Sequence, residues 1–105
     1  MKIKEITDYT IVFDNGNIIS YEHDPEWCEW NYADFAQMDD IARMTEFDED
    51  LDFEEVPEAG FRFGNNDGRM FFVPCYSDQN GYYSSDVSIY YNGKRVLGVD
   101  AEILW

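Results

Sequence analysis

Short apolar runs at residues 11–13 and 18–21 flank Asp14-Asn15-Gly16, and together they predict a β-hairpin at the start of the chain. The period then changes. Cys28, Tyr32, Phe35, Met38, Ile41 and Ala42 follow at spacings of 4, 3, 3, 3 and 1, a single apolar helical stripe. Ahead of it, Asp24-Pro25-Glu26 supplies a capping aspartate, a proline at the first helical position and an acid in the first turn. The spacing therefore predicts a helix from about residue 25 to about residue 45.

Past Pro57 and Gly60 the strand pattern returns. Residues 61–63, 69–73 and 86–91 are rich in aromatic and β-branched side chains, with a turn at Asn65-Asn66-Asp67-Gly68 between the first two. Asn92-Gly93 predicts a tight hairpin into residues 94–99. Pro74 cannot donate to a ladder, which puts it at the end of its strand or at an edge. The expected fold is one α+β domain over residues 1–105, an antiparallel curved β-sheet with one main helix packed on it.

Composition narrows the class. A chain of 105 residues is enough for one modest core, and 45% hydrophobic with 18% aromatic residues is too apolar for a disordered acidic tail. No apolar run approaches the roughly 20 residues of a membrane span, and the first residues lead straight into a strand pattern rather than a signal peptide. Two cysteines, Cys28 and Cys75, suit reduced thiols in an intracellular protein better than a disulfide framework. The outlier is the net charge of −16, which opposes direct binding to nucleic acid or anionic lipid. The natural partners are basic.

That charge is regional. Residues 22–58 hold fifteen acids against one base, Arg43, and EFDEDLDFEEVPE at residues 46–58 is acidic at eight of thirteen positions. Two carboxylates about 6.5 Å apart in water repel by roughly 0.6 kcal/mol before salt screening, so clustering costs a few kcal/mol in all. Solubility alone would be served by spreading the charge. Within the run, Asp48, Asp50, Asp52 and Glu54 alternate with the apolar Phe47, Leu51 and Phe53. In an extended chain this puts four carboxylates on one face and anchors on the other, a pinned row of negative charge resembling one strand of nucleic acid. With Asp39, Asp40, Glu46 and Glu55, these residues form the expected partner-binding face.

Other chemistries fit less well. An EF-hand loop starting at Asp48 would need glycine at its sixth position and glutamate at its twelfth, where this chain has Phe53 and Ala59. Cys28, in the first turn of the expected helix and close to His23, is a conceivable nucleophile, but Glu26 and Glu29 raise its pKa and the stripe buries it. Cys28, Cys75 and His23 could supply three zinc ligands, without the CxxC pair that marks such sites. Gly81-Tyr82-Tyr83 and Tyr90-Tyr91 could stack bases, but such platforms come with basic grooves. No catalytic residue, metal or cofactor is expected.

The segment VPCYSDQNGYYSSDVSIYY at residues 73–91, with FDNGNIISYEHD at residues 13–24, resembles a family of small uncharacterised phage and prophage proteins. Their mark is a Cys-Tyr-x-x-Gln-Asn-Gly-Tyr-Tyr-Ser segment after a hairpin and an acidic, cysteine-containing helix start. This chain departs from the pattern at Glu26-Trp27-Cys28-Glu29, where the family carries a second cysteine. The resemblance implies a mobile element in the cytoplasm of a bacterial host, and no activity. By analogy of charge and setting, the expected function is that of an acidic nucleic-acid mimic of the anti-CRISPR or anti-restriction type. It would be a non-enzymatic inhibitor that fills the basic groove of a defence nuclease or another nucleic-acid-binding protein. The alternatives are an acidic interaction module regulating a basic partner, and a small enzyme using Cys28 and His23.

Overall fold

A computed structural model of the chain describes residues 1–22, 30–78 and 86–104. Among the described residues it is mostly β-structure, with 58% in strands and no helix of seven residues or more. One sheet has the order β1-β2-β3-β8-β9, formed by Ile3–Ile6, Thr10–Phe13, Ile18–Tyr21, Asp86–Tyr91 and Lys94–Asp100. The other runs β10-β7-β6-β5, from Glu102–Leu104, Met70–Asp78, Gly60–Asn65 and Leu51–Val56, with β4 (Trp30–Ala33) also paired to β7. All pairings are antiparallel except that of β10 with β7.

The expected α+β architecture with a main helix is overturned. Within the described part of residues 25–45 the chain forms β4 and two 3₁₀ turns, Phe35–Gln37 and Asp40–Met44. The aspartates explain why no helix runs through. The Asp34 carboxylate takes a hydrogen bond from Gln37 Nε2 at 2.7 Å, and Asp39 Oδ1 takes one from the Ile41 backbone N–H at 3.0 Å, while Met38 between them is extended. The short Asp39 side chain thus supplies a local partner for a backbone N–H that competes with helical hydrogen bonds. Before them, Tyr32 and Ala33 find ladder partners in Tyr76 and Cys75. The apolar stripe is half right, because 3₁₀ turns also repeat every three residues. Phe35, Met38 and Ala42 are buried, but Ile41 is 44% exposed.

The hairpins fare better. The predicted first hairpin is β2–β3, and Asn92-Gly93 joins β8 to β9 with both residues at positive φ, 52° and 81°, the geometry of a two-residue hairpin turn. Pro74 lies inside β7 instead of ending it. Its carbonyl accepts the Asp34 N–H at 2.8 Å, one residue after β4 ends, so its missing donor falls where that neighbour gives out.

The two sheets share one core. Ile11, Phe13, Ile19, Val87, Ile89 and Val99 line the first, and Phe61, Phe63, Phe71, Val73 and Cys75 the second. Phe47, from the start of the acidic run, joins them. Its ring centroid lies 5.7 Å from Phe13 in one sheet, and 5.6 and 5.7 Å from Phe63 and Phe71 in the other. At 1% exposure it is a fully buried core residue.

Candidate acidic interface

The first part of the acidic run is fastened to the body mainly by its backbone and its apolar residues. The Phe47 N–H donates to Met1 O at 2.7 Å, and the amino group of Met1 donates to Phe47 O at 2.6 Å. Asn65, at the end of β6, reaches across with its whole amide: Oδ1 accepts the Asp48 N–H at 2.7 Å and Nδ2 donates to Glu46 O at 3.1 Å. The Tyr91 hydroxyl donates to Glu49 O at 2.7 Å. Leu51 then opens β5, where Phe53 stacks on Phe63 at 6.5 Å and lies tilted against Tyr91 at 5.7 Å.

The alternation expected from residue 47 onward holds only inside β5. There Asp52 and Glu54 are exposed on the outer face, while Leu51, Phe53 and Glu55 point inward and are half-buried. Asp48 and Asp50 precede the strand, so the four carboxylates do not form one straight row.

Folding also answers part of the charge. Arg62, across the ladder from Glu54, pairs with it at 2.7 Å. Arg69 pairs with Asp39 at 2.8 Å while lying 5.0 Å over the Phe71 ring, and the amino group of Met1 pairs with Glu46 at 3.3 Å. Glu55 accepts the Asp100 N–H at 3.2 Å and helps close β5 against β9. Four of the eight expected interface residues are thereby engaged at home. These surface ion pairs are each worth about 0–1 kcal/mol, enough to orient a side chain and little more.

Asp40, Asp48, Asp50 and Asp52 remain exposed, with no cation in ion-pair range among the described residues. Asp52 faces the Asn66 amide, whose nitrogen in the satisfied orientation donates at 2.8 and 3.1 Å. Asp67 belongs with this group and escaped the sequence reading because it lies outside the acidic run. It sits, exposed, in the turn between β6 and β7, beside Asn66. That turn joins the two halves of the face, since Asn65 before it holds residues 46–48 and Arg69 after it holds Asp39.

The alternative chemistries gain no support. His23, Cys28 and Gly81-Tyr82-Tyr83 lie outside the described residues. Cys75 is fully buried, and burial pushes its thiol up to about 12, away from any nucleophilic role. No group of three or more metal-binding side chains occurs among the described residues. Tyr90 donates to Glu22 and Tyr91 to Glu49 O, so both hydroxyls serve local contacts. No described helix is long and apolar enough to cross a membrane. No family model matches the chain, and neither does a curated protein or a solved structure.

Proposed function

We propose that the protein is a non-enzymatic, acidic mimic of nucleic acid. It occupies the lysine- and arginine-lined groove of a nucleic-acid-binding protein such as a defence nuclease, in the cytoplasm of a bacterium that carries it on a phage or other mobile element. The observation that carries this reading is the combination at residues 46–52. Asp48, Asp50 and Asp52 stand exposed without a cation, on a backbone held by Phe47 and Asn65. A held backbone loses little entropy on binding, and unpaired carboxylates keep their charge available for a partner. Asp40 and Asp67 extend the same surface. Asp39, Glu46, Glu54 and Glu55, already engaged, are supports in this reading rather than contacts.

The test compares the wild type with a variant carrying Asp48→Asn, Asp50→Asn and Asp52→Asn. A second variant, Glu5→Gln, Asp78→Asn and Glu102→Gln, removes three exposed charges elsewhere. Net charge then changes from −16 to −13 in both, and only location differs. With the protein immobilised in bacterial lysate cleared of nucleic acid, the wild type and the second variant should retain nucleic-acid-binding proteins that duplex DNA elutes. The first variant should lose them at least tenfold. Equal retention by all three proteins would refute the mimic. Retention that responds to location but not to DNA would favour instead the module regulating a basic partner.

A further inference from the structure

At the other end of β2, a separate cavity of about 300 Å³ opens between the two sheets. The first sheet contributes Asp8 and Tyr9 from the β1–β2 turn and Tyr21 from the end of β3. The second contributes Tyr32, Asp34 and Phe35 from β4 and the turn after it. The tip that carries Asp8 and Tyr9 is held firmly. Thr7 Oγ1 accepts the N–H groups of Tyr9 and Thr10 at 3.2 and 3.0 Å and lies 2.6 Å from the Thr10 hydroxyl. Tyr9 stands 5.9 Å from Tyr21 with the rings tilted by 41°, and Tyr21 stands 5.9 Å from Phe35. Tyr9 is 49% exposed and forms the outer wall, whereas Tyr21 at 7% forms the floor.

From this lining we infer that the cavity is a receptor for a guanidinium group. Aromatic faces attract cations through their quadrupoles, and they do so more strongly where water is partly excluded. A guanidinium is a flat, weakly hydrated slab that stacks on a tyrosine ring and still directs its N–H fork at a carboxylate. Asp8 and Asp34 supply that carboxylate on opposite walls. An anion would meet both aspartates, and an uncharged aromatic ring would leave Asp8 unused, while Asp34 is already oriented by the bond from Gln37 Nε2. The hydroxyls register the same field. The Tyr21 phenol is pushed up to about 12, mainly by burial and then by Tyr9 and Asp8, and Tyr32 is raised by burial and then by Asp34. Only the share that comes from Asp8 and Asp34 favours an incoming cation, since burial opposes a charge of either sign. This site is independent of the acidic run, which meets the opposite turn of β2 where Asn15 Nδ2 donates to Glu49 at 3.2 Å.

The probes are N-acetylarginine amide and its neutral isostere N-acetylcitrulline amide, titrated into the full chain while the tyrosine ring signals are followed by NMR. The arginine probe should shift Tyr9, Tyr21 and Tyr32 saturably and bind at least tenfold more tightly than the citrulline probe. Tyr9→Ala, at an exposed position, should weaken binding at least fivefold with the fold intact, and Asp8→Asn should do the same. The variant lacking Asp48, Asp50 and Asp52 should bind like wild type, so failure of the mimic leaves this result standing. Two guanidinium sources separate in a third arm. Tighter binding of the blocked arginine than of methylguanidine assigns the cavity to a partner's side chain, and the reverse assigns it to a small free guanidine. No saturable shift of these tyrosine rings, or equal binding of the citrulline probe, would overturn the assignment.

Discussion

At the end of β2 that meets Glu49, carboxylates stand in solvent on a strip of backbone that other residues hold in place. At the end that carries Tyr9, carboxylates stand on the walls of a cavity among aromatic rings. The chemical group is the same, but the dielectric around it differs, and so does what it can do. In water, charges several ångströms apart act weakly and over a distance, which suits steering and recognition of an extended cationic surface. Beside buried rings the same charge acts at close range on one small group. The protein therefore separates a broad electrostatic surface from a narrow receptor by the length of one strand.

The strongest way to break this contrast is at Phe47. Phe47→Ala empties the position where both sheets meet and should cost about 3–5 kcal/mol in denaturant-induced unfolding. Phe53→Ala removes a half-buried ring and should cost less, while loosening β5 locally. Equal losses would show that Phe47 is not the bridge.

Alkali probes the tyrosine end instead. Tyr21 and Cys75 both have folded-state pKa values pushed up to about 12, above ordinary values of 10.0 and 9.0. Below pH 9 each is protonated in folded and unfolded chains alike, and stability is full. Between about pH 9 and 12 the unfolded chain gives up protons that the folded chain keeps, so stability falls as pH rises. With the Tyr21 share discounted for the solvent that still reaches it, the loss should be roughly 3 kcal/mol by pH 11, most of it from Cys75. Tyr21→Phe should flatten the part of the fall above pH 10, and a curve of unchanged slope would contradict the raised phenol.

Asn65→Ala tests whether the acidic strip is truly held. It removes two hydrogen bonds to backbone and should cost about 1–2 kcal/mol. Hydrogen exchange at the Asp48 amide should accelerate, with the tyrosine end unaffected. The smallest change, Gly93→Ala, serves as a control. Its φ of 81° disfavours a side chain, so about 1 kcal/mol should be lost without altering either region.

Much of the sheet was legible because turn chemistry is local. Asp14-Asn15-Gly16 and Asn92-Gly93 fix their hairpins from two or three residues, and the aromatic runs around them have no competing period. The helix was misread because spacings of three and four fit 3₁₀ turns as well, and because the β4 partner, β7, lies more than forty residues on. The anchors of the acidic run were visible as apolar residues among carboxylates, and Phe47 proved central. Its counter-charges were not visible, since Arg62 and Arg69 approach only after β6 and β7 fold back. The tyrosine cavity left no mark at all. Its residues come from three separated stretches that only the stacking of two sheets brings together.

Strand β7 takes β6 along one part of its length and both β4 and β10 along another, so the second sheet is organised around a single segment. Two of its neighbours come from places as distant as residues 30 and 104. Chains that depend on such remote pairings fold slowly, because loops must close before any contact rewards them. During synthesis β7 would leave the ribosome before β10 has emerged, with its parallel pairing unavailable. Until then the far part of β7 keeps an open hydrogen-bonding edge, which makes the growing chain, rather than the finished one, the form most exposed to misassociation.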